Sequence, residues 1–289
     1  MKKHFHLWTP ENQQVIFTCE DDFKTGMNIF ALCAVLYPSI AILTFELMDN
    51  HIHIVLYCTE AEAKAFFARF KYALKKWLNS IGRFVDLSEF VCKLRALDST
   101  TDIMNVISYS NRNGFLANPD QTPYSYRWGA GRFFFNTDAK LRYNNESTPM
   151  TMTQRRQMLH SHAADKVGFL KMLDGYVCPL SYCSIEAAES YYRTGSNYFY
   201  QIARNIEAQK AIATEIGETI RYTDEEMFRI ANTLCKEKFP NSSLSLISQE
   251  AKIDLATKLH YEWGATKKQL CRILKIPAAT LDQLFVSQK

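Results

Sequence analysis

"SIAILTFELMDNHIHIVLY", residues 39–57, decides how the N-terminal half of this chain folds. Two apolar runs flank Asp49-Asn50, and both of those residue types tolerate left-handed backbone, so the stretch reads as two strands joined by a tight turn. Successive side chains of a strand point to opposite faces, which puts His51 and His53 on one face and Ile52 and Ile54 on the other. Two imidazoles are held side by side at the start of the second strand. Two readings fit: a pair of metal ligands, since neutral imidazole is the commonest metal ligand, or a half-buried hydrogen-bonded pair.

The chain contains two other His-x-His triplets. His4 and His6, in "KKHFHLW", read as structural residues of a first strand that can lie next to the central pair in a sheet. His160 and His162, in "QMLHSHAAD", fall between a helix end and a helix start and read as a cap or surface feature.

Upstream, "DDFKTGMNIFALCAVLYP" reads as a helix ended by Pro38. "TEAEAKAFFARFKYALKKWLNSIG" is amphipathic, with Phe67, Phe70, Leu74, Trp77 and Leu78 at helical spacing and Lys64, Lys71 and Lys75 on another side. A short strand around "FVCKLRAL" precedes the helix "DSTTDIMNVISYSNRNG", which has a start signal in Ser99 with Asp102 and a stop signal at Gly114. Strand, helix, strand, strand, helix, strand, helix is the order of an antiparallel sheet with helices packed on it, an α+β domain. From about Asn144 no strand is expected. The helical stretches "SIEAAESYYR", "SNYFYQIARNIEAQKAI" and "TDEEMFRIANTLCKEKF" follow, the last opened by a capping box of Thr223 and Glu226. Three short helices at the end resemble a helix-turn-helix module. Its last helix carries no Arg or Lys before Lys289, so DNA binding and protein binding both stay open as its role. The expected divisions are 1–137, 138–247 and 248–289.

At 289 residues, 47% hydrophobic and 22% charged, the chain can bury a sizeable core. Its formal charge of +4 permits nucleic-acid binding without requiring it. No apolar run approaches the roughly 20 residues that span a bilayer, and "MKKHFHLW" lacks a signal-peptide core, so a cytoplasmic protein without membrane partners is expected. The eight cysteines include no C-x-x-C and read as reduced core thiols; Cys178 and Cys183 with His160 and His162 match no common zinc spacing.

Tyr109 and Asn113 are four residues apart on the helix before Gly114, so they share a face. Taken singly, they read as a packed aromatic and a helix cap. Taken with "MDNHIH" at 48–53, the segment "YSNRNG" at 109–114 gives the pattern its meaning. His-hydrophobe-His on a strand, an amphipathic helix, then Tyr-x-x-x-Asn on a later helix resembles the single-tyrosine HUH transposases, particularly the REP-associated tyrosine transposases and their insertion-sequence relatives. The later "ANPDQTPYSYRWG" is similar to the family segment that follows the nucleophile helix. The resemblance covers about residues 4–135, and it departs from the family at Asp49 and Gly114, where proline is usual.

The resemblance implies a ferredoxin-like HUH catalytic domain followed by a helical region. It implies Tyr109 as nucleophile and His51, His53 and Asn113 as ligands of Mg²⁺ or Mn²⁺. The implied reaction cleaves and rejoins single-stranded DNA, with hairpin or palindromic ends, through a 5′-phosphotyrosine; monomer and dimer both remain open. Lys71, Lys75, Lys76, Arg112, Arg127 and Arg132, interleaved with Tyr124, Tyr126 and Trp128, are candidates for tracking the backbone and stacking bases. Two alternatives stand beside it: a replication-initiator or relaxase-like nickase, and a catalytically silent, domesticated DNA-binding protein.

Overall fold

A computed structural model describes residues 1–12, 14–116, 122, 124–159, 169–218 and 220–285. The first seven elements are β1 (Lys3–Trp8), α1 (Glu20–Leu36), β2 (Ala41–Leu47), β3 (Ile52–Cys58), α2 (Glu60–Ser80), β4 (Lys93–Leu97) and α3 (Thr100–Leu116). This is the expected order. The four strands form one sheet, β2-β3-β1-β4, antiparallel throughout. The turn at Asp49-Asn50 is closed by the Met48 N–H donating to the His51 carbonyl at 2.9 Å. The Asp49 carbonyl accepts the N–H groups of Ile16 and Phe17, which pins the β1–α1 connection onto the turn.

Directly paired residues in an antiparallel ladder share a face. His53 lies opposite Trp8 and Glu46, and His6 lies opposite Val55 and Arg95. One face therefore carries His4, His6, Trp8, Thr44, Glu46, His53 and Arg95. The alternate positions Phe5, Leu7, Phe45, Ile52, Ile54 and Leu56 form an apolar face that α1 and α2 cover. Phe30 of α1 stacks on Phe45 with ring centroids 3.9 Å apart and meets Phe66 and Phe70 of α2 edge-on. The α2 helix starts at a capping box of Thr59 and Glu62, and its stripe of Phe67, Phe70, Leu74, Trp77 and Leu78 is buried as its spacing predicts.

The opposite face is covered by α3. Ser99 caps this helix by accepting the Asp102 N–H at 3.1 Å, and Asp102 pairs with Arg95 of β4 at 2.8 Å. The expected stop at Gly114 is not where α3 ends, since the helix runs to Leu116. Gly114 has a packing role instead: a Cβ there would overlap the Tyr126 ring at Cδ1.

After these come α4 (Thr137–Glu146), β5 (Thr148–Pro149), α5 (Met152–Leu159), β6 (Lys171–Leu173), β7 (Tyr176–Val177), α6 (Ile185–Glu189), α7 (Gly195–Arg204) and α8 (Ile206–Ile216). The expectation of no strand beyond Asn144 is thus corrected by a small antiparallel sheet, β5-β6-β7. Asp174 and Gly175 join β6 to β7 with φ of 57° and 84°, the backbone of a two-residue hairpin turn that Asp-Gly favours. Met150, Leu170 and Val177 pack on Ala31 and Leu32 of α1.

The chain divides into two compact units, Met1–Ile212 and Ala213–Lys289. Most of the expected middle region thus folds with the large sheet. The second unit contains α9 (Asp224–Lys238), α10 (Gln249–Trp263), α11 (Lys267–Leu274) and α12 (Ala278–Leu284). The capping box of Thr223 and Glu226 is present. Between α11 and α12, Lys275 takes a left-handed φ of 57° in a three-residue turn. Among the described residues, no helix is long and apolar enough to cross a membrane. All eight cysteines are free.

Candidate functional site

Four side chains singled out in the sequence meet on the α3-covered face of the sheet. The rings of His51 and His53 are 5.1 Å apart and nearly perpendicular, with ligand atoms within 4.8 Å of one another, close enough to serve one ion. The Tyr109 ring stands edge-on to His53 with centroids 5.6 Å apart. One helical turn on, the Asn113 amide is 3.1 Å from His53 Nε2. His51, His53 and Tyr109 are 4%, 0% and 5% exposed.

Hydrogen bonds fix how the rings are presented. Asn50 Nδ2 donates to the Asn12 carbonyl at 3.0 Å, so its Oδ1 faces His51 and accepts that ring's Nδ1–H at 2.7 Å. Nε2 is then the nitrogen of His51 that carries the lone pair. His53 Nδ1 lies 3.3 Å from Nε2 of His6, a 0% exposed residue of β1. Burial holds the His53 pKa down at about 3, which keeps the ring in the neutral form that metal ligation requires. His6 is also pushed well below the usual histidine range, by burial first and then by the neighbouring His53 and Arg95.

These residues fit a small divalent cation. Cis ligands at about 2.1 Å from an octahedral ion are roughly 3 Å apart, the spacing found between the Asn113 amide and His53 Nε2. Rotating that amide about its last bond would present Oδ1 in place of Nδ2. The donor set is mixed nitrogen and oxygen without a thiolate.

The helix that delivers Tyr109 is locked in place by buried polar contacts. Thr44 Oγ1 of β2 donates to Asn111 Oδ1, and Asn111 Nδ2 donates to the Tyr198 hydroxyl of α7 at 2.9 Å. Ser108 Oγ is 2.8 Å from the Tyr192 hydroxyl, which itself donates to the Met104 carbonyl. With α3 gripped on both sides, Tyr109 and Asn113 keep a fixed height above β3.

The basic residues expected along a DNA backbone are placed differently. Arg112 is 2% exposed and donates to the Ile202 carbonyl at 3.0 Å, so it anchors α3 inside the protein. Arg132 pairs with Asp174 at 2.9 Å, and Arg127 pairs with Glu20 at 3.1 Å while lying over the Trp128 ring. Lys71, Lys75 and Lys76 sit on α2, across the sheet from Tyr109, because the apolar stripe of α2 turns toward the other sheet face. Of the aromatics, Tyr126 is buried with its hydroxyl donating to the Leu47 carbonyl and Trp128 stacks on Phe23, while Tyr124 is exposed.

Sequence reasoning misses the part played by His6, whose setting reads as structural; the signal lies in the pairing of β1 with β3. His160, His162 and most of "ANPDQTP" lie outside the described residues. Neither the family models, nor the curated proteins, nor the solved structures contain a match to the chain.

Proposed function

We propose that this protein is a single-tyrosine HUH transposase that cleaves and rejoins single-stranded DNA through Tyr109. The observation that carries the reading is the meeting of Tyr109 and Asn113, delivered by α3, with His51 and His53 on the facing sheet. The element order and the β2-β3-β1-β4 antiparallel sheet also match a ferredoxin-like βαββαβ core, in which two helices cover one face and leave the other for a site.

In the forward step the Tyr109 phenolic oxygen attacks the scissile phosphorus, forming an O–P bond as the P–O3′ bond breaks. The phenolic proton leaves to solvent, and the departing 3′ oxygen is protonated to a hydroxyl. The new linkage is itself a phosphodiester, so attack by another 3′ hydroxyl reverses the chemistry without ATP. His51, His53 and Asn113 would hold the Mg²⁺ or Mn²⁺ ion, which when bound supplies charge neutralisation on the phosphate oxygens. The neutral imidazoles and the rigid α3 supply position. Because Tyr109 and His51 are almost closed off, the surrounding chain must open to admit a strand.

The test uses 3′-labelled, hairpin-forming single-stranded oligonucleotides with Mn²⁺, resolved on a denaturing gel. The expected result is a protein-linked label that disappears in Tyr109→Phe and with a chelator. An adduct that survives in Tyr109→Phe overturns the assignment.

A further inference from the structure

Histidine at position 6 is a poor choice for packing alone. The side chain is fully buried between Trp8, stacked on it at 4.9 Å, and His53, stacked at 5.5 Å. Its Nδ1 has no hydrogen-bond partner among the described residues. A buried polar atom left unsatisfied carries its full desolvation cost, so an apolar side chain of this size would serve the core better. What histidine provides is Nε2, 3.3 Å from Nδ1 of His53.

The two strand histidines are thereby treated alike. His51 has its Nδ1–H held by Asn50, the residue before it. His53 follows Ile52 and has no such neighbour, and its Nδ1 is met from β1 across the sheet. Asn113 donating to His53 Nε2 makes that nitrogen an acceptor, which leaves the proton on Nδ1, facing His6.

We infer that His6 is a positioning residue for the divalent-cation site: its Nε2 accepts the Nδ1–H of His53, fixing that ring's tautomer and aiming its Nε2 lone pair toward Asn113. The inference rests on the metal-ligand reading of His51, His53 and Asn113. Outer-shell acceptors of this kind fix ligand orientation in metal sites, and their loss weakens metal affinity by about 10–100-fold. His6 touches neither ion nor substrate.

The experiment compares His6→Phe, which keeps a ring stacked on Trp8 but removes the acceptor, with His6→Gln, which restores an amide oxygen. Mn²⁺ alone is titrated into the metal-free, full-length chain by calorimetry. His6→Phe is expected to bind Mn²⁺ about 10–100-fold more weakly, with His6→Gln recovering most of the loss at equal thermal stability. Nitrogen-15 spectra of the metal-free protein should show His53 protonated at Nδ1 in the wild type and redistributed in His6→Phe. Wild-type Mn²⁺ affinity in a folded His6→Phe, or a wild-type His53 protonated at Nε2, overturns the inference. His51→Ala and His53→Ala separate the two levels: if they too bind Mn²⁺ like the wild type, the metal reading itself has failed, whereas if only His6→Phe does, His6 alone loses its role.

Discussion

The two faces of the large sheet are built from alternate residues of the same strands and do opposite work. On one, Phe45, Ile52, Ile54 and Leu56 meet the apolar stripes of α1 and α2, and every contact is dispersion and excluded water. On the other, His6, His53, Thr44 and Glu46 are equally buried but polar: α3 meets Thr44 through Asn111 and His53 through Asn113, while His6 meets His53 and Glu46 accepts from Gly131. Burial on the first face stabilises. Burial on the second costs desolvation that the hydrogen bonds only partly return, which a fold tolerates where geometry is needed for chemistry. The apolar face holds the fold, and the polar face holds the candidate site.

The largest expected effect lies on the apolar face. Phe30→Ala removes the ring that joins Phe45, Phe66 and Phe70 and should destabilise the protein by about 3–5 kcal/mol in urea unfolding. A loss below about 1 kcal/mol would show that the core resides elsewhere. Tyr109→Phe, by contrast, keeps the ring beside His53 and should abolish the proposed DNA adduct with a smaller loss of stability than Phe30→Ala.

Gly114→Ala comes next and has a diagnostic sign. On an exposed helix surface alanine is favoured over glycine by about 1 kcal/mol. Here the added Cβ would overlap the Tyr126 ring, whose hydroxyl is tied to the Leu47 carbonyl and so resists retreat. Overpacking of this kind costs about 1–3 kcal/mol. A stabilised Gly114→Ala would mean that Tyr126 does not rest on α3.

A subtler effect concerns Glu46, the cross-strand neighbour of His53. Its Oε1 accepts the Gly131 N–H at 3.0 Å, and its Oε2 has no hydrogen-bond partner among the described residues. Burial raises its pKa well above the ordinary 4.5, against smaller opposing effects of the Gly131 hydrogen bond and Arg132. The folded state therefore holds the proton more tightly than the unfolded chain. Its contribution to stability is full below about pH 4.5 and is lost as pH rises through the folded-state value. Glu46→Gln keeps an acceptor for Gly131 and removes the titration. Its melting temperature should exceed the wild type's at pH 7 and converge with it near pH 4; parallel curves would show that Glu46 does not titrate in this way.

What was legible in the sequence follows the range of the signals. The turn at Asp49-Asn50, the alternation through His51 and His53 and the spacing of Tyr109 and Asn113 are local patterns, and local geometry alone places each on the right element. The end of α3 was not legible, because Gly114 answers to Tyr126 from a later segment. The strands β5, β6 and β7 are two or three residues long, too short for an alternation to register, although Asp174-Gly175 marks their turn. His6 needed the register of β1 against β3, a partner 47 residues away. For α2 the amphipathic pattern correctly separates the buried side from the solvent side, but no pattern within a helix tells which face of a sheet it will cover.

The placement of α2 against the apolar face leads to a weak but informative effect. If the strand is engaged on the α3 side, Lys71, Lys75 and Lys76 face away from it. Neutralising all three should then leave the salt dependence of single-stranded DNA binding nearly unchanged. Each phosphate that a lysine neutralises adds about 0.7 to the slope of log affinity against log salt for a single strand, so removing three such lysines would lower it by about 2. A slope unchanged in the triple Lys→Ala variant keeps the DNA on the polar face with Tyr109. A fall of about 2 would run the strand along α2 and require one substrate to reach both sides of the sheet.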